Sequence, residues 1–260
     1  MFKILKYSFF DLMRSSWSYV YFAFYLLLGI VLLFLNNDLS KAVITLMNVI
    51  IVLVPLIGTI FGVMYYYNSK EFTELLLAQP LKRSSIFLGQ YLGVAISLSM
   101  SLILGLGLPF IAYGLFKSNA IWDFSLLLIV GVFLTFIFSA LAFNIALSNE
   151  NRIKGFGYAI LMWLFLAIIY DGLFLMSLIL FEDYPLDKVS LIGTMLNPID
   201  LSRTLILLKL DISALLGYTG AVFKQFFGTN FGLIISLFAL LIWVVLPVIR
   251  IVLKSKRKDF

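Results

Sequence analysis

The chain contains no cysteine and no histidine. Without cysteine there is no disulfide, no thiolate nucleophile and no thiolate metal site. Without histidine the usual neutral-pH general base and the commonest metal ligand are missing too. Charge is also scarce. Only 12% of the 260 residues are Asp, Glu, Lys or Arg, against about a quarter in an ordinary soluble domain. No stretch reads G-x-x-x-x-G-K-[ST], so the sequence carries no P-loop, and ATP-driven work needs a second subunit. No A-x-A-like site follows the first apolar run, which reads as a retained anchor and not as a cleaved signal.

What fills the chain is apolar: 63% of it is hydrophobic, with a mean hydropathy of +1.09. The runs are continuous instead of alternating, which favours helices across a bilayer over a β-barrel. The predicted fold is all-α, a polytopic membrane protein with six transmembrane helices near 17–35, 43–67, 86–116, 122–148, 155–181 and 229–253. An amphipathic interfacial helix over 1–16 precedes a transmembrane domain of 17–260. The third and fourth runs exceed the ~20 residues that cross a bilayer core, so they tilt or project. Pro109 predicts a kink in the third. With the N-terminus in the cytoplasm, thirteen of the 19 Lys and Arg fall inside and six outside (Lys41, Lys117, Lys188, Arg203, Lys209 and Lys224). The positive-inside rule then puts both termini in the cytoplasm. The basic surplus is an orienting device that also meets anionic lipid, above all at Lys254 to Lys258. No nucleic-acid partner is expected.

Several stretches are neither span nor plain loop. In MFKILKYSFFDLMRSSW, Phe2, Leu5, Phe9, Leu12 and Met13 share one helical face, and Lys3, Lys6, Tyr7, Asp11 and Arg14 lie away from it. This fits an interfacial helix or an extension of the first span. Between spans two and three, NSKEFTELLLAQPLKRSS reads as a helix over about 69–79. Asn68 is its expected N-cap, with Glu71 at N3. Phe72, Leu75, Leu76 and Gln79 follow at helical spacing, Pro80 ends the helix, and Lys82 and Arg83 mark the next span. Its acidic Glu71 and Glu74 and its apolar patch fit either a connector or a knob that docks into another protein.

The loop at 182–228 is too long to be structureless. Within it Asn197 is an expected cap, with Pro198 at the first helical position, Asp200 at N3 and Arg203 three residues on. Ile199, Leu205, Ile206 and Leu208 are expected in the outer leaflet, and ISALLGYTGAVFKQFF looks similar, so the region reads as interfacial or re-entrant helices. Asp171 lies inside the fifth span, where a charge costs roughly 2.5–3.5 kcal/mol at the bilayer centre. It calls for a partner: water, Arg203, or a structural hydrogen bond to Tyr170 or a neighbouring helix. Gly58-x-x-x-Gly62 and Gly89-x-x-x-Gly93 allow close helix approach.

In combination these features resemble a type-2 ABC transporter permease. The resemblance rests on E-x-x-E-L-L-L-x-x-P-x-x-R at Glu71, Glu74, Leu75, Leu76, Leu77, Pro80 and Arg83, and on N-P-x-D-x-x-R at Asn197, Pro198, Asp200 and Arg203. The length and YYYNSKEFTELLLAQPLKRS are most similar to the NosY-like branch, whose system matures nitrous oxide reductase. The resemblance implies a coupling helix at Lys70 to Gln79 that docks into a cytoplasmic ABC ATPase subunit. Phe72, Leu75 and Leu76 would be its anchors, Glu71 and Glu74 its rim, and Gln79, Pro80 and Arg83 its far edge. It also implies a permease homodimer in the bacterial inner membrane and a periplasmic partner. ATP and Mg are expected in the ATPase, and no cofactor is expected on this chain. The implied role is non-enzymatic transmission of ATP-driven motion for copper-site maturation. Export of a lipid, drug, ion or cell-surface component by the same class of permease is the alternative.

Overall fold

The computed structural model of the chain describes residues 1–36, 38–181, 187–209 and 230–257. Helix α1 spans Phe2–Arg14, α2 Ser16–Asn36, α3 Leu39–Asn68, α4 Lys70–Leu77, α5 Arg83–Ala112 and α6 Ile121–Ser148. Helix α7 (Arg152–Leu164) runs through a π-helical turn at Phe165–Ile169 into α8 (Tyr170–Leu180). Then come α9 (Asp187–Met195), α10 (Pro198–Lys209) and α11 (Asn230–Arg257). Six of these stretches are long and apolar enough to cross a membrane: α2, α3, α5, α6, the α7–α8 run and α11.

The third span differs from the expected 86–116. It begins three residues earlier, at Arg83, and ends at Ala112. Gly114 then takes a left-handed φ of 97° and leads into a short 3-10 turn over Leu115–Lys117. The segment ISALLGYTGAVFKQFF lies outside the described residues.

Helices α5 and α6 form the centre, where Phe87, Tyr91, Phe110, Phe138 and Phe143 are fully buried. Apolar surface alone gives spans little reason to associate in lipid, so close backbone approach and packing do the work. A Cβ on Gly62 of α3 would lie 2.9 Å from Ala142 Cβ and 3.2 Å from Ser139 O of α6. A Cβ on Gly93 of α5 would lie 2.6 Å from Ser8 Cβ and 3.0 Å from Phe9 N of α1. Only hydrogen fits at either position.

The glycine row on α5 decides which face of α1 turns inward. That face is Ile4, Ser8 and Leu12, all buried. It differs from the expected face: Leu5, Phe9 and Met13 are half-buried and Phe2 is 77% exposed. The larger side chains are displaced because two backbones in contact leave room only for the small Ser8 at the crossing. Chain direction puts α4, the start of α5, the end of α6 and the end of α11 at one end of the bundle. There Tyr67 donates to Asn149 O at 2.7 Å. Lys254 donates to Asn144 O at 3.2 Å and to Ser148 Oγ. The first lysine of the basic tail therefore satisfies the C-terminal end of α6, where it was expected to face lipid.

Replacing Gly93 with Leu should lower stability by ~1–3 kcal/mol through overpacking. The expected readout is a lower thermal midpoint in detergent, together with faster thiol labelling of a Ser8→Cys reporter. Gly157→Leu is the control, because a Cβ there meets nothing within 4 Å; its midpoint should stay put.

Candidate functional site

Two polar constructions interrupt this apolar bundle, one at the α4 end and one level with the middle of the fifth and sixth spans. The first is α4. Ser69 ends α3, its N–H bonding to Tyr65 O at 2.9 Å, and is at the same time the residue that precedes α4. Asn68 is the last residue of α3, so the expected Asn68–Glu71 capping box does not form. The helix is Lys70–Leu77, shorter at both ends than 69–79, because α3 runs on until Ser69 reverses the chain.

Three elements brace α4. Thr73 is buried, and its hydroxyl donates to Ser69 O at 2.7 Å. Thr73 Oγ1 in turn accepts from Gln90 Nε2 of α5 at 2.8 Å, and that amide also reaches Ser69 Oγ at 3.4 Å. Gln90 is fully buried, so leaving its amide without these bonds would be costly. On the other side Phe72 stacks on Tyr7 of α1, with ring centroids 4.5 Å apart and planes 25° apart. Phe72 is thus already engaged within the chain, and Leu76 and Leu77 are half-buried. The free face carries Glu71, Glu74 and Leu75, the last 68% exposed, with Gln79, Pro80 and Arg83 exposed beyond it. The Lys70–Glu74 ion pair, 3.8 Å long and half exposed on both sides, contributes little.

The second construction is the junction of α9 and α10, which meet at 111°. A bend in a non-aqueous setting frees backbone groups that must find partners in the protein. Met195 O accepts from Trp243 Nε1 of α11 at 3.0 Å, and Gly193 O accepts from the Tyr170 hydroxyl of α8 at 2.6 Å. Asn197 is fully buried. Its Oδ1 accepts from Ile199 N at 3.0 Å, and its Nδ2 donates to Asp200 Oδ2 at 2.8 Å and to Leu166 O at 2.7 Å. Leu166 belongs to the π-helical turn, where the wider hydrogen-bonding pattern disturbs the regular ladder.

Arg203 Nη1 donates to Asp171 Oδ2 at 2.7 Å and lies 3.6 Å from Asp200 Oδ1. Asn197, Asp200, Arg203 and Asp171 therefore form one cluster, with Pro198 opening α10 beside it. Ile199, Leu205, Ile206 and Leu208, expected in the outer leaflet, are instead buried in the protein core. The cause is that α10 packs on α3, α6 and α11.

Two carboxylates share one guanidinium here. Sequence reasoning did not single out Gln90, Trp243 or Tyr7 as braces. The one legible signal was a glutamine inside an apolar run. Among the described residues no cluster of three or more His, Cys, Asp or Glu could hold a metal ion.

No protein-family model matches the chain. It is 26% identical over 134 residues to the probable ABC transporter permease protein NosY of Stutzerimonas stutzeri, covering 50% of this chain and 49% of that protein. It is likewise 26% identical over 149 residues to the probable ABC transporter permease protein NosY of Pseudomonas aeruginosa, covering 54% of this chain and 53% of that one. The match spans about half the length of these relatives. The chain is distantly similar to NosY-type ABC permeases, and its six apolar helices are consistent with a polytopic permease.

Arg203→Gln strands two carboxylates and should cost about 1–3 kcal/mol, read as a lower thermal midpoint. Adding Asp171→Asn should restore part of that loss.

Proposed function

We propose that this chain is the membrane-spanning permease subunit of an ABC transporter, with α4 as its coupling helix. One observation carries the reading. A short helix stands between two spans, offers Glu71, Glu74 and Leu75 on its free face, and is fastened on its other faces to α1, α3 and α5. A helix held this way passes a push to the spans without absorbing it. The similarity to NosY permeases supports the same reading. In this account both termini and α4 are cytoplasmic in the bacterial inner membrane, as the distribution of Lys and Arg favours. Two copies pair with two ATPase subunits, which hold the ATP and Mg.

Leu75 is the leading apolar anchor, with Leu76 beside it. Glu71, Glu74, Gln79, Pro80 and Arg83 form the polar surround, and Phe72 acts from behind by fixing the helix to Tyr7. The α9–α10 clamp then reaches into the bundle from the periplasmic side, where a periplasmic partner engages the chain. The work served is copper-site maturation of nitrous oxide reductase, the role implied by the resemblance of YYYNSKEFTELLLAQPLKRS to the NosY-like branch. A chain without Cys or His suits the transmission of force better than the conduction of copper. The alternative is a permease of the same class that exports a lipid, drug, ion or cell-surface component. The α4 motif, which other permeases of the class share, supports either reading. A neighbouring gene for a periplasmic β-helix protein and one for a copper chaperone would favour maturation.

The wild-type chain should co-purify with its ATPase subunit. Leu75→Asp and Glu74→Arg should weaken that association by about tenfold or more, as expected for a central anchor, while leaving membrane insertion intact. Variants that bind the ATPase and stay coupled like the wild type would overturn the docking assignment.

A further inference from the structure

The N-terminal helix has three faces. Ile4, Ser8 and Leu12 are committed to α5. Next to them, Leu5, Phe9 and Met13 form a half-buried apolar flank that ends at the exposed Phe2. The remaining face is a groove of about 550 Å³ lined by Lys3, Lys6, Tyr7, Phe10, Asp11 and Arg14. We propose that this groove binds the phosphate of an anionic lipid in the leaflet at the α4 end of the bundle.

Its chemistry fits that one occupant. Lys3, Lys6 and Arg14 are exposed cations along one stripe, and Asp11 offsets one of them, so the groove is positive. Arg14 offers a planar fork of donors, and the lysines offer rotatable ones, both suited to phosphate oxygens. Tyr7 and Phe10 give an apolar floor between the cations. The adjoining apolar flank, with Phe2 and Phe10 exposed, needs acyl chains beside it, which a soluble anion or an acidic protein surface does not supply. A lipid also has consequences elsewhere. Tyr7 lines the groove and stacks on Phe72, so a headgroup seated there holds α4 as well. The lipid assignment itself does not depend on the ATPase reading.

The chain has no cysteine, so a single Phe2→Cys carries a fluorophore one turn from the groove. The full-length labelled protein is reconstituted into phosphatidylcholine vesicles. A minor fraction of either phosphatidylglycerol or phosphatidylcholine carries a nitroxide near the top of its acyl chain. Quenching by the phosphatidylglycerol probe should exceed that by the phosphatidylcholine probe at least about threefold, given the pull of each basic residue on anionic lipid. The triple variant Lys3→Gln/Lys6→Gln/Arg14→Gln should erase the difference, and Lys3→Arg/Lys6→Arg should keep it. Circular dichroism and gel filtration check that each variant is folded. Equal quenching by the two probes in the wild type overturns the proposal. So does a preference that survives the triple variant, since it would then arise from another basic segment. A preference abolished by millimolar inorganic phosphate, but not by sodium chloride of equal ionic strength, would assign the groove to free phosphate and overturn the lipid assignment.

Discussion

The constraint on which this structure depends is that backbone polar groups shielded from water must be satisfied within the chain. A straight span meets it automatically. A chain that bends at 111° between α9 and α10 does not. The structure answers with side-chain donors from surrounding helices: Trp243 to Met195 O, Tyr170 to Gly193 O, and Asn197 to Leu166 O. Each bond satisfies a carbonyl and fastens one element to another. The π-helical turn in the fifth span belongs to the same solution, because it is the site of the Leu166 carbonyl that Asn197 needs.

The same logic shapes the α4 end of the bundle. The reversal at Ser69 is held by the Thr73 and Gln90 side chains, and the α6–α7 turn by Tyr67 and Lys254. These few polar bonds are set in a bundle of large apolar side chains whose closest crossings run through glycine, alanine and serine, as at Gly62–Ala142 and Gly93–Ser8. The two sites differ in exposure. Helix α4 presents an exposed polar face on a braced mount, whereas the α9–α10 junction encloses its charges, with Asp171 and Arg203 less than a third exposed.

Much of this was legible in the residues. The six apolar runs became six long helices because ~20 consecutive apolar residues have few other options. Pro198 at the start of α10 and Pro80 after α4 marked boundaries through backbone rules that act over three or four residues. The capping box at Asn68 failed for a reason that local rules do not contain: α3 packs along α6 and stays helical through Asn68, leaving that residue inside the helix. The apolar residues of α10 misled in the same way. A leaflet and a protein core accept the same side chains, so Leu205 and Ile206 fit both.

The sequence by itself determined the helical class, the number of long apolar helices, and the presence of one amphipathic polar insert and one Asn-Pro helix start. These follow from periodicity, hydropathy and backbone chemistry, which are properties of neighbouring residues. Only the tertiary structure decided which face of α1 turns inward, that Gln90 and Tyr7 brace α4, and that Asp171 meets Arg203 across 32 positions of chain. The physical reason is that spans apolar on every side carry no marked face. Their rotation, and therefore their partners, is set where two backbones come close enough that only a glycine fits between them.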